Sequence, residues 1–122
     1  MGMFDVTVKL ANPGDSSRSS DVSLLVETDA TLSWIPRELL PRLSVRPTTR
    51  LAFQFADERT TLREVGAALF TVDGKTLTIS CAFGEPGEES VLGATALEAF
   101  GLAVDPVEPV EKELIPRRRL AL

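Results

Sequence analysis

The chain has 122 residues, 43% hydrophobic and 25% charged, with a formal net charge of −5. This is the size and composition of one globular domain, residues 1–122, able to bury roughly two-thirds of its unfolded surface. The negative balance opposes a broad nucleic-acid footprint, and the absence of histidine removes Ser-His and Cys-His nucleophilic machinery and most transition-metal sites.

Phe4, Val6, Val8 and Leu10 alternate with polar residues and predict a first strand. Residues Asn12 to Ser20, with Pro13-Gly14, read as an exposed, mobile polar loop. Val22 to Val26 is almost wholly apolar and resembles a strand buried on both faces. Pro36 to Leu40 suits a short helical turn with proline at its first position, and Pro41 limits its length. Trp34 is expected to pack against Leu39 and Leu40 of that turn.

Phe53 and Phe55 alternate in a further strand that turns at Asp57-Glu58, and a long strand follows from Thr60 to Val72. Asp73-Gly74 is a strong hairpin signal, because a two-residue type I′ turn needs positive φ at both central residues. Its register sets Phe70 opposite Leu77 and Ala68 opposite Ile79. Glu85 to Ser90 is a charged loop. Ala94 to Phe100 predicts one short helix ended by Gly101 in the left-handed C′ position. Leu102 to Asp105 and Glu113 to Ile115 predict terminal strands around Asp105-Pro106, and Arg117-Arg118-Arg119 reads as a solvated tail.

Strands therefore dominate, and the fold class is all-β with one short C-terminal helix. No apolar run approaches the ~18 residues a membrane helix requires. Met1 to Asp5 lacks the basic region and apolar core of a secretory signal. The single cysteine, Cys81, excludes an intramolecular disulfide, alternates with Ile79 as a core thiol, and suits a reducing compartment. The expected setting is the cytoplasm, with no membrane and no nucleic acid as partner.

The most informative residues are Leu24-Leu25-Val26-Glu27-Thr28-Asp29-Ala30-Thr31, followed by Leu32-Ser33-Trp34-Ile35-Pro36, with Val91-Leu92-Gly93-Ala94 further along. A short apolar run before Asp-Thr-Gly-Ala-Thr marks the retropepsin-like aspartic proteases. The chain resembles bacterial members of that family from about Phe4 to Pro116, including Ala56-Asp57, Leu97-Glu98 and Gly101 to Pro106. Two positions depart from the triplet: Glu27 stands for the catalytic aspartate and Asp29 for the glycine.

The resemblance implies a closed acid-protease barrel forming one half of a two-fold homodimer. Each subunit would supply one acidic turn, and the paired carboxylates would share a proton, activate a water and polarise the scissile carbonyl of an extended peptide. It implies that Glu27, Thr28 and Asp29 form the catalytic triplet, with Thr28 interlocking the two turns. It implies substrate contacts at Ala30 and at Ala56, Asp57 and Glu58, the last three on a flap hairpin. Gly93 would let a strand pack beneath the acidic turn.

Glu27 adds a methylene, and a displacement of about 1 Å can cost on the order of a hundredfold in rate. Asp29 adds a charged side chain where glycine tolerates unusual φ. Asp57-Glu58 replaces Asp-Gly at the flap tip, so that loop is either longer than two residues or strained. Two functions stay open: an aspartic-type endopeptidase, and a catalytically inactive peptide-binding or dimerisation module on the same fold. Asp29 as the activating acid is a weaker register, because Thr-Gly does not follow it. Glu27 and Asp29 from two subunits would suit Ca²⁺ or Mn²⁺, but no loop of further ligands accompanies them, so no metal and no cofactor is expected.

Overall fold

The computed structural model describes residues 4–104 and 114–116. Among the described residues the order is β1 (Asp5–Asn12), β2 (Asp15–Val26), β3 (Ser33–Pro36), α1 (Leu39–Arg42), β4 (Thr49–Gln54), β5 (Thr60–Val72), β6 (Lys75–Gly84), β7 (Val91–Leu92), α2 (Ala94–Phe100), β8 (Leu102–Val104) and β9 (Leu114–Pro116). The protein is mostly β. No helix among the described residues is long and apolar enough to cross a membrane.

Turn chemistry sets the β5–β6 hairpin. Asp73 and Gly74 take φ of 53° and 75°, as a type I′ turn requires. Phe70 pairs with Leu77 and Ala68 with Ile79. Phe70, Ala68 and Ile79 are buried, while Leu77 remains partly exposed.

The segment after Asn12 is not the loop its polarity suggests. β2 begins at Asp15, so only Pro13 and Gly14 turn the chain, and the polar residues extend the strand against β1. Backbone pairing with β1 needs no apolar side chains, which is why the exposed start of β2 reads as loop. Asn12 fixes the turn: Nδ2 donates to the carbonyls of Leu43 and Ser44 at 2.8 and 3.0 Å, and Oδ1 accepts from Gly14 N–H at 2.7 Å. The end of β2 is also less uniformly buried than expected. Leu24 and Val26 face the main core, while Leu25 turns to a second apolar cluster.

One seven-stranded sheet has the order β1-β2-β7-β3-β6-β5-β4, and β1 also pairs with β5. β7 lies between β2, to which it is parallel, and β3, to which it is antiparallel. β8 and β9 form a separate pair with Leu102 opposite Pro116; Asp105, Pro106 and Glu113 of the expected terminal strands, like Arg117 to Arg119, lie outside the described residues. The main core joins Leu10, Leu24, Ile35, Phe70, Leu92, Leu97 and Phe100, among others, from strands and α2. Gly101 ends α2 at φ 67°.

The helical turn does not start at Pro36, which ends β3, and Pro41 does not stop it. Pro41 is the third residue of the helix, inside the first turn, whose N–H groups have no intrahelical partner to lose. Trp34 also departs from expectation. In β3 Ile35 enters the main core, where Leu40 also lies, so period-two alternation sends Trp34 to the opposite face. There its ring meets Phe53 edge-on at 5.0 Å and Phe55 at 5.7 Å.

The β4–β5 hairpin resolves the question at its tip, which is both longer than two residues and strained. Phe55 N–H donates to Arg59 O at 2.8 Å and Glu58 N–H to Phe55 O at 2.9 Å, enclosing a three-residue loop. Glu58 holds φ of 70°, the left-handed position that glycine normally fills in such loops. Glu58→Gly is expected to raise stability by about 0.5–1 kcal/mol, read as a higher denaturant midpoint at unchanged m-value; an equal or lower midpoint would show that the αL strain is negligible.

Candidate functional site

The loop from Glu27 to Leu32 carries the acidic triplet and has no ladder of its own. Its shape is dictated from below. Leu25 N–H donates to Ser90 O at 2.9 Å and Glu27 N–H to Leu92 O at 3.0 Å, fastening the end of β2 to β7. Ala94 N–H donates to Ala30 O at 2.7 Å and Thr95 N–H to Thr31 O at 3.0 Å. The first amides of a helix have no partners within it; here the loop's carbonyls satisfy two of them. Ser33, the one buried polar residue among the described core, accepts from Gly93 N–H through Oγ at 3.0 Å.

Gly93 permits this contact by lacking a side chain. A Cβ there would lie 2.5 Å from Leu32 O and 2.8 Å from Ala30 O. Its φ of −93° and ψ of 179° suit any residue, so the exclusion is steric. The expected close approach under the acidic turn is present. Asp29, in contrast, is placed without the strain expected of a residue replacing glycine: the described non-glycine residues with positive φ are Ser44, Glu58 and Asp73.

Above the loop lies an open cleft of about 1010 Å³. Glu27, Asp29, Ala30 and Thr31 form its floor, and Phe53, Phe55 and Ala56 of the β4–β5 hairpin form the facing wall. Glu27 is half-buried, with Oε2 shielded from solvent. Thr28, Asp57 and Glu58 are exposed and do not line the cleft. The structure thus brings four of the seven candidate residues together and leaves three at its margins. A smaller cavity of about 360 Å³ beside Arg37, Arg46 and Phe83 contains none of them.

Sequence reasoning missed the aromatic part of the cleft and its second acidic wall. Trp34, Phe53 and Phe55 line it, as do Arg59, Glu88 and Glu89. The alternation of Phe53 with Phe55 signalled a shared face; which face needed the position of Trp34.

Ion pairs hold the walls. Arg63 on β5 grips Glu88 through two nitrogens, and Glu88 Oε1 also accepts from Glu85 N–H at 2.7 Å. The Arg63 guanidinium holds the Glu88 carboxyl below the usual glutamate range, with the Glu85 amide adding to the effect. Arg37 reaches Glu64 and Glu85, each at 2.6 Å. At the hairpin tip Arg59 pairs with Asp57 at 2.6 Å and lies 4.9 Å over the Phe55 ring. Burial pushes the Cys81 thiol up to about 12, so it is no nucleophile at neutral pH. Among the described residues no three His, Cys, Asp or Glu side chains converge on a metal-sized site.

No protein-family model matches the chain, and a search of curated proteins finds no match.

Gly93→Ala is expected to destabilise the protein by about 1–3 kcal/mol, measured by chemical denaturation. A cost below a few tenths would mean that the loop carbonyls move aside freely.

The Glu88 carboxyl has its folded pKa depressed, so its contribution to stability is full above the ordinary value of 4.5 and is lost as pH falls through the folded value. The stability advantage of wild type over Glu88→Gln, about 1 kcal/mol at pH 7, should therefore shrink on acidification to about pH 3. An advantage that stays constant in paired thermal melts would remove Arg63–Glu88 as its source.

Proposed function

We propose that the chain is a retropepsin-like aspartic endopeptidase homologue, one half of a two-fold homodimer with a closed acid-protease barrel. It would hydrolyse peptide bonds of an extended substrate with water and no cofactor. The observation that carries this reading is the floor of the cleft: a carboxylate-bearing loop clamped onto a glycine-bearing strand and helix, under an aromatic hairpin. The return of the strand pairings from β5 to β1 supports the closed barrel. The exposure of Thr28 suits the interlocking role that the resemblance implies.

In the dimer two Glu27 carboxyl groups would meet across the axis. The ionised one would take a proton from water as the oxygen attacks the carbonyl carbon, and the protonated one would donate to the carbonyl oxygen. The cleft walls would hold the peptide extended, largely through its main chain. Thr28, Asp57 and Glu58 would act from the dimer axis and the hairpin tip rather than from the floor.

One observation favours a second reading, a peptide-binding module without catalysis. The carboxylate at position 27 stands on a side chain one methylene longer than aspartate, against a positional tolerance of ~0.5 Å.

Cleavage of an unfolded protein by wild type, Glu27→Gln, and the double variant Glu27→Asp with Asp29→Gly separates the two. The endopeptidase reading expects slow cleavage by wild type, none by Glu27→Gln, and about a hundredfold gain in the double variant. Cleavage by the double variant alone would make the native protein a binder. Equal cleavage by wild type and Glu27→Gln would remove Glu27 from the chemistry.

A further inference from the structure

Resting on the peptide-cleft reading, we propose that the indole of Trp34 is the seat for an aromatic side chain of the bound peptide, and that the hairpin's own phenylalanines hold that seat in the empty protein. Trp34 belongs to a small apolar cluster separate from the main core. Its indole meets the edge of Phe53 at a centroid distance of 5.0 Å with 65° between the planes, and Phe55 at 5.7 Å and 50°. All three rings line the cleft, so the indole is covered from within the space a peptide would enter.

The covering rings are lightly held. β4 is the last strand of its sheet and pairs with β5 alone among the described residues. Phe53 is the one residue of β4 that is not exposed, so its apolar hold on the body of the domain is a single ring, with Phe55 just beyond the strand. The other edge of β4 has no strand beside it, and Leu51 to Gln54 line the cleft. A free strand edge takes up an extended chain, which makes the occupant a peptide segment.

A side chain arriving at Trp34 competes with Phe53 for the same indole. An aromatic ring restores the edge-to-face contact that Phe53 gives up, whereas an aliphatic side chain restores buried area alone. The seat therefore discriminates by ring geometry. Self-occupancy also sets the apparent affinity, because only the fraction of molecules with the seat vacated can take the ring. A peptide with a small polar side chain there makes no such demand.

Three short peptides, identical except for phenylalanine, leucine or serine at one position and free of tryptophan and tyrosine, serve as probes of the full chain. Equilibrium dialysis measures their affinity. Fluorescence of Trp34, the one tryptophan in a chain without tyrosine, reports whether the seat is engaged. The phenylalanine peptide is expected to bind about fivefold tighter than the leucine peptide, to shift the Trp34 emission, and to exceed the serine peptide by more. Phe53→Leu should tighten the phenylalanine peptide by about threefold and leave the serine peptide unchanged. Equal binding of the phenylalanine and leucine peptides overturns the aromatic seat. Weaker binding of all three by Phe53→Leu makes that ring a wall and overturns the self-occupancy. Binding with unchanged Trp34 emission overturns the seat and leaves peptide binding standing, whereas no binding of any peptide overturns the cleft reading itself.

Discussion

The contact between Gly93 and the carbonyls of Ala30 and Leu32 is the constraint on which the rest of the cleft depends. Residues 27 to 32 connect two strands that are not neighbours, because β7 is inserted between them. A connection of that kind has no ladder partner and would be free to take many shapes. Here it takes one, since the amides of Glu27, Ala94 and Thr95 fix it from below and the absent side chain at position 93 lets it settle. The acidic side chains then project from a loop fastened to the core beneath it, where Leu92, Ala96 and Leu97 are buried.

The bonds that fix the loop from below come from backbone groups. The amide of Glu27 and the carbonyls of Ala30 and Thr31 make the bonds, and any residue supplies an amide and a carbonyl. These backbone bonds are therefore open equally to aspartate or glutamate at position 27. Position 29 likewise needs no left-handed backbone. Backbone scaffold and carboxylate chemistry are thus separable in this loop: substitutions that would disturb a carboxylate dyad leave these backbone groups in place.

Much of the fold was legible because its signals are stereochemical. Asp73-Gly74 has few alternatives to a type I′ turn, and once that turn is placed the pairing of Phe70 with Leu77 follows by counting. Gly101 stopped α2 for the same reason. The approach of Gly93 to the acidic loop was legible only through the resemblance carried by the apolar run before Glu27 and the glycine after Leu92. What was not legible depended on partners distant in sequence. The polar start of β2 is strand only because β1 lies beside it. The side chosen by Trp34 depends on Ser33, a polar residue that is nonetheless buried and bonded to Gly93; by polarity alone the alternation in β3 reads the wrong way round. The acidic wall at Glu88 and Glu89 reads as an ordinary charged loop until Arg63 is seen to hold it against β5.

That last arrangement ties the two sides of the cleft to one another. Arg63 stands on β5 opposite Leu51 of β4, midway along the β4–β5 hairpin, and its partner Glu88 lies in the loop that leads directly into β7. Arg37, following β3, reaches both β5 through Glu64 and the same loop through Glu85. Individually such partly exposed pairs contribute little, but these two share a short loop whose other end, Ser90, accepts the amide of Leu25. A shift of the hairpin is therefore transmitted to the strand that shapes the floor, through charged contacts that water can compete for. The apolar contacts of Phe53 and Phe55 with Trp34 oppose such a shift from inside the cleft. An occupant that displaced the two phenylalanines would leave the ionic side as the restraint on hairpin position, so the geometry of the wall and of the acidic loop would move together.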